Sequence, residues 1–155
     1  ARFWSDFTTD ELRRRAMRRA IAVLPVAAIE QHGPHLPLAT DAIIAEGYLA
    51  RLMTLPAQDL DVLLLPVQLV GKSDEHESFP GTLSLTTATA LQAWTGIGDA
   101  VRRGGCGKLV IVTSHGGNSG LIDLVAGDLR GRHAMVAVTT AWSRFGYPDG
   151  LLPEA

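Results

Sequence analysis

Residues 20–29 read Ala-Ile-Ala-Val-Leu-Pro-Val-Ala-Ala-Ile, a stretch without a single polar side chain. A continuous apolar run of that length predicts a strand buried on both faces of a parallel sheet. A Gly/Pro-rich loop follows, and Asp41 then precedes Ala-Ile-Ile-Ala-Glu-Gly-Tyr-Leu-Ala-Arg-Leu-Met. That pattern is an acidic N-cap in front of apolar residues at helical spacing. Residues 62–67 read as a second buried strand, and 71–82 as a long polar loop containing Pro80 and Gly81. Loops of that length inside a compact unit commonly carry function. A helix is expected over 86–103, stopped by Gly104-Gly105, then a strand over 108–113, a helix over 118–130 and a strand over 134–141. An Arg-rich helix behind Asp10 and Glu11 precedes them all.

Strand and helix therefore alternate, which predicts an α/β fold: a mostly parallel sheet with helices on both faces, built from right-handed crossovers. After residue 141 the chain continues through Trp-Ser-Arg-Phe-Gly-Tyr-Pro-Asp-Gly and stops at Ala155 without the helix the alternation leads one to expect. It also begins at Ala1 rather than Met. The expectation is one α/β domain over 1–155 that lacks its C-terminal part.

Composition narrows the partners. Hydrophobic residues make up 46% and charged residues 19%, the balance of a chain that packs a core. A formal net charge of −2 gives no summed positive field, which argues against nucleic acid and anionic membrane surfaces as partners. Arg13, Arg14, Arg15, Arg18 and Arg19 read as a solvated helix face. The single Cys106 excludes an internal disulfide. With no apolar stretch of the ~20 residues a membrane span needs and no signal-peptide core, a cytoplasmic setting is expected.

The chemistry concentrates in two short loops. Glu30-Gln31-His32-Gly33-Pro34-His35 follows the first strand directly, and Ser114-His115-Gly116-Gly117-Asn118 follows the strand over 108–113. Both lie at carboxyl ends of strands, the edge at which open α/β sheets bind ligands, so topology alone brings them to one crevice. Asp41, at the start of the helix leaving the first loop, can point back to it. Glu30, His32, His35, Asp41 and His115 converging on one edge make a catalytic metal site the candidate reading, against histidines merely satisfied in loops. Their mixture of carboxylate and imidazole suits zinc, manganese or iron(II), and the lack of thiolates argues against a structural zinc site.

Three motifs, Glu-Gln-His-Gly-Pro-His-Leu-Pro-Leu-x-Thr-Asp, then Gly-Lys-Ser-x-Glu-His-x-x-Phe-Pro-Gly-Thr-Leu-Ser-Leu, then Ser-His-Gly-Gly-Asn, together resemble the signatures of the creatininase family, over about residues 3–138. The resemblance implies a creatininase-like α/β fold, two divalent cations (zinc foremost, manganese or iron as alternatives) and hydrolysis of a linear or cyclic amide by a metal-activated water. It makes Glu30 and His115 ligands of one metal, His32 a ligand of the other and Asp41 the bridge. It also makes Ser73 a substrate contact, with a turn hydroxyl as the competing reading, and His35 a pocket residue. A small-molecule amide and further copies of the chain, commonly in a hexamer, are the implied partners.

In creatininase the second residue after the final motif's histidine is a ligating glutamate, whereas Gly117 stands here. The wider family includes formamide hydrolases and the mycofactocin-type peptidase, in which a downstream His-Ala-Gly-x-x-Glu-Thr-Ser motif is the expected source of the missing ligand. That motif also holds the catalytic histidine region, so the general acid/base is expected beyond Ala155. The rival from another class is a non-catalytic metal-binding or assembly module with the same fold.

Other features carry less. Glu75, His76 and Glu77 read as loop-shaping or pocket-lining, because adjacent residues on one loop do not easily converge. His133 reads as a surface residue and Cys106 as a small buried or turn residue. Residues 104–108 miss the spacing of a phosphate loop, and 117–121 miss the second glycine of a nucleophile elbow by one place.

Overall fold

The computed structural model describes residues 1–55 and 59–146. Five strands form one parallel sheet: β1 (Arg2–Phe3), β2 (Ile21–Val26), β3 (Val62–Leu64), β4 (Lys108–Thr113) and β5 (Val136–Ala141), in the order β1-β3-β2-β4-β5. The helices are α1 (Thr9–Arg14), α2 (Thr40–Thr54), α3 (Thr87–Arg103) and α4 (Ser119–His133). None of them is long and apolar enough to cross a membrane.

Alternation along the strands sorts the helices onto the two faces. Leu24, Val26, Leu63, Leu65, Leu109 and Ile111 point one way and pack with Trp94 and Val101 of α3 and Ile122, Val125 and Leu129 of α4. Val23, Leu64 and Val112 point the other way and pack with Leu49 of α2. Trp94 and Leu24 are fully buried. Removing the apolar surface of such a side chain from water contributes about 1.5–3 kcal/mol each.

The strand over 108–113 and the helix stop at Gly104 stand as the sequence predicts, and the other elements shift in ways with a physical cause. The ladder between β2 and β3 ends at Val23↔Leu64, three residues short of the expected 62–67 strand. Pro25 lies opposite that gap and has no N–H to donate, and Pro66 has none either, so pairing resumes only where Gln68 N–H donates to the Pro25 carbonyl. The N-cap of α2 is Ala39 rather than Asp41, which sits one residue into the first turn and faces inward. Helix α1 ends at Arg14, so Arg18 and Arg19 lie beyond it. A capping box between Thr8 and Glu11 starts it. The two-residue β1 carries too short a pattern for sequence reasoning to find.

The order in which strands are added reverses at β2: β3 lies on one side of it and β4 on the other. The loops leaving β2 and β4 consequently part, and the crevice between them is the topological switch point at which sheets of this kind bind ligands.

Candidate metal centre

Glu30 and His32 arrive at the crevice from the loop after β2, His115 from the end of β4, and Asp41 from the first turn of α2. A helix N-terminus favours a negative charge in that position. Glu30, Asp41 and His115 are buried, with side chains 5%, 7% and 6% exposed. His115 Nδ1 lies 3.0 Å from Glu30 Oε1 and 3.4 Å from Asp41 Oδ2, and His32 Nε2 lies 3.4 Å from Asp41 Oδ1. The structure thus gathers the four residues singled out in the sequence.

Hydrogen bonds to backbone carbonyls set the tautomers of both imidazoles. His32 Nδ1 is 3.1 Å from the Glu30 carbonyl and His115 Nε2 is 2.9 Å from the Lys72 carbonyl. A carbonyl only accepts, so each of these nitrogens carries its proton outward and turns the other nitrogen's lone pair toward the carboxylates. A lone pair facing a carboxylate oxygen at 3.0 Å repels it unless a cation stands between. Glu30 Oε2 and Asp41 Oδ2 are moreover buried without a hydrogen-bond partner, and no Lys or Arg among the described residues forms an ion pair with either carboxylate. Burial raises the Asp41 carboxyl above its ordinary range despite the downward pull of His115 and His32, and neighbouring Glu30 adds to the rise. Histidines tied at one nitrogen to a carbonyl, beside carboxylates lacking partners, are what a divalent cation completes. Two groups have donor atoms within 4.8 Å of one another: Glu30, His32 and Asp41, and Glu30, Glu75 and His115.

The frame behind these donors is held by Asn118, whose part the sequence reading missed. Fully buried, it donates from Nδ2 to the Ala27 carbonyl at 3.0 Å and accepts the Lys72 N–H at Oδ1 at 3.0 Å. It therefore ties together the exits of β2 and β4 and the loop over 71–77. Gly71 permits the approach, since a Cβ there would lie 2.3 Å from the Ala27 carbonyl oxygen. An asparagine closing a His-Gly-Gly-Asn motif in front of a helix was the available signal.

Three expected roles look different in place. Ser73 is fully buried, its Oγ 3.3 Å from His115 Nε2 and its N–H donating to Ser84 Oγ. Its hydroxyl faces the imidazole's outer edge. His35 is exposed on the loop after β2, its ring beside Gly33, and among the described residues it makes no hydrogen bond to the cluster. The one-turn helix Asp74–His76 shapes that loop: it brings Glu75 Oε1 to 3.3 Å from His115 Nε2 and His76 Nε2 to 3.9 Å from Glu30 Oε1. Successive residues of a tight turn point in different directions, so two of them reach the centre from different sides. His76 also differs in tautomer. Gly33 N–H donates to Gln31 Oε1, which leaves the Gln31 amide NH₂ to donate to His76 Nδ1, so the neutral ring carries its proton on Nε2. Cys106 is buried among backbone carbonyls, and His133 pairs with Asp99 rather than standing free.

Beside His115 a cleft of about 570 Å³ opens, walled by Ile43, Ile44, Tyr48 and Trp142, with Ser114 and Ser119 as polar points. Tyr48 stacks on Trp142 at 4.5 Å and 10°. Of the cluster, His115 lines this cleft, and a mostly apolar cleft with a few polar points is the form of a small-ligand site.

Carboxylates and imidazoles at the switch point of a parallel sheet place this chain among α/β proteins with a candidate metal-ligand group. Comparison with known proteins says which. The creatininase family profile, described as creatinine amidohydrolase, matches residues 5–155. The chain is 41% identical over 117 residues to the mycofactocin precursor peptide peptidase of Mycobacterium tuberculosis strain CDC 1551, covering 70% of this chain and 45% of that protein. It is 30% identical over 138 residues to the creatinine amidohydrolase of Pseudomonas putida, covering 83% and 52%. A solved manganese form of creatininase superposes with a TM-score of 0.78 at 29% identity, over 97% of this chain and 65% of that one. The chain belongs to the creatininase family. It spans about half the length of the curated relatives it matches.

Proposed function

We propose that this chain carries the metal centre of an amidohydrolase that cleaves a C–N bond in a linear or cyclic amide. The observation that carries the reading is the pairing of two imidazole lone pairs, each pinned by a backbone carbonyl, with buried carboxylate oxygens that have no hydrogen-bond partner. Glu30, His32, Asp41 and His115 would hold two divalent cations, with Asp41 as the bridge because its two oxygens face different histidines. Bound there, such ions lower the pKa of water and polarise a carbonyl oxygen. The chain's own residues do the rest. The lines from Lys72 and Glu30 carbonyls hold the imidazoles in register, Asn118 keeps the three loops from drifting apart, and Ile43, Ile44, Tyr48 and Trp142 exclude water from one side of the substrate. His76, with its proton on Nε2 facing the centre, is placed to donate a hydrogen bond to a bound amide. Zinc and manganese both suit this donor set.

The relatives named for peptide and creatinine hydrolysis define the first substrates to try. Protein carrying a downstream His-Ala-Gly-x-x-Glu-Thr-Ser segment, stripped with chelator and reloaded with manganese or zinc, is expected to hydrolyse one of a short peptide amide, an N-formyl compound or creatinine, and to lose that activity on stripping. Metal-loaded protein that hydrolyses none of a broad panel would favour a binding or assembly role over an enzymatic one.

A further inference from the structure

The cleft beside His115 runs along α2, and its character changes from one end of the helix to the other. Asp41, in the first turn, belongs to the candidate metal centre, and Arg51, in the last turn, lines the cleft. Ten residues at about 1.5 Å each place the two about 15 Å apart along the helix axis. Ile43, Gly47 and Arg51 follow one another at four-residue steps and so form a single ridge. Gly47 is a notch in that ridge: a Cβ built there meets nothing within 4 Å, so the helix surface is open to a ligand at that point. Tyr48, held by its stacking on Trp142, walls the notch. The cleft is thus a trough that begins at His115, crosses an apolar middle and reaches a cation.

Arg51 is the one guanidinium or ammonium in this lining, and among the described residues no carboxylate lines the cleft with it. Other arginines are already paired: Arg13 with Asp10, Arg15 with Asp61, and Arg132 with Asp99 and Asp128. Among the described residues Arg51 has no acidic partner, and its one hydrogen bond runs from Nη1 to Thr54 Oγ1 at 3.2 Å. A guanidinium carries five N–H donors in a fork that matches a carboxylate, so most of the fork is left for an incoming acceptor.

We infer that Arg51 reads a carboxylate on the substrate, an amide whose scissile bond and carboxylate are joined by an apolar arm of about 12–15 Å. This rests on the reading of the crevice as an amidohydrolase centre. An extended chain advances about 3.3 Å per residue, so an arm of that length corresponds to about four residues. Gly47 is then the position that admits the arm, and Arg51 the position that selects its end. Creatinine, a single small ring without a carboxylate, gains nothing from either.

The test measures binding of acetyl-Ala-Leu-Leu-Ala to zinc-loaded protein by calorimetry. The peptide is supplied as the free acid, as the carboxamide, and as a carboxamide with glutamate in place of the last alanine. The proteins are wild type, Arg51→Gln, Gly47→Leu and, as a control on α3, Arg103→Gln. Wild type is expected to bind the free acid about tenfold more tightly than the plain carboxamide. Arg51→Gln is expected to bind the two equally, and Arg103→Gln to keep the preference. Gly47→Leu fills the notch and is expected to lose both peptides while melting at or above wild type, since leucine is the better helix former. Affinity regained by the glutamate carboxamide assigns Arg51 to any carboxylate at that distance, and affinity not regained assigns it to the terminal one. Equal binding of acid and carboxamide by wild type would overturn the role of Arg51. So would a preference that survives Arg51→Gln, or a wild type that binds none of the peptides. Repeating the titration on stripped protein tests the underlying reading separately: a preference retained with both affinities indifferent to zinc would leave Arg51 standing and count against the metal centre.

Discussion

Two clusters in this protein mix carboxylates with histidine, and they behave in opposite ways. On the outer side of α3 and α4, Asp99 receives Arg132 at 3.0 Å and His133 at 2.8 Å, and Arg132 also reaches Asp128 at 2.6 Å. In the crevice, Glu30 and Asp41 face His32 and His115 with no arginine or lysine paired to them among the described residues. Burial pushes both Asp99 and Asp41 upward. At Asp99 the hydrogen bonds from His133 and Arg132 outweigh it and hold the carboxyl below its ordinary value, whereas at Asp41 burial wins and the carboxyl sits above it. The difference is a resident cation. The helix clasp supplies its own in Arg132, and the proposed reading has the crevice take one from solution.

The frame of the crevice gives the largest expected effect. Asn118→Ala leaves the Ala27 carbonyl and the Lys72 N–H buried without partners. A loss of about 3 kcal/mol in denaturant unfolding is expected. A loss below about 1 kcal/mol would mean that the three loops hold their places independently.

Charge removal should separate the clusters by sign. In stripped protein Asp41→Asn relieves two crowded buried carboxylates and is expected to raise stability by about 1 kcal/mol. Asp99→Asn breaks a satisfied network and is expected to lower it by about 1 kcal/mol. Saturating metal should reverse the order for Asp41. Wild type gains about 2.7 kcal/mol at a free-ion level one hundred times its Kd, and the variant gains little. Equal signs for the two substitutions, read from melts in chelator, would remove the distinction.

The smallest effect is in pH. Because the Asp99 carboxyl is held below the usual 3.8, its contribution is present above that value and is lost as pH falls through its folded pKa. Asp41, raised, works the other way in stripped protein: stability declines as pH climbs from 3.8 through its folded pKa. Acid-side melts of Asp99→Asn should therefore be flatter than wild type below about pH 4, and melts of Asp41→Asn flatter above it.

How far the sequence could be read followed from how local each signal was. The strand over 108–113 stands at its expected bounds because a dense apolar run sits between a Gly-rich turn and a polar loop. The gathering of Glu30, His32, Asp41 and His115 was legible because all four lie at carboxyl ends of strands or the helix start beside them, and alternation of elements carries them to one edge. The shortening of the second strand was not legible, since it depends on where Pro25 and Pro66, neither with an N–H to donate, fall relative to the end of the ladder. The reach of Glu75 depends on a single turn at 74–76 and on the absence of a Cβ at 117. The tautomers of His32 and His115 depend on two carbonyls whose places are fixed only in the folded chain.

The central claim is that the crevice completes itself with metal. Elemental analysis of purified wild type and Asp41→Ala after dialysis against trace zinc and manganese tests it most directly. The account predicts about two metal ions per chain in wild type, given a centre of two bridged cations, and a sharp fall in the variant. Wild type without bound metal, or a variant that retains the same content, would contradict it.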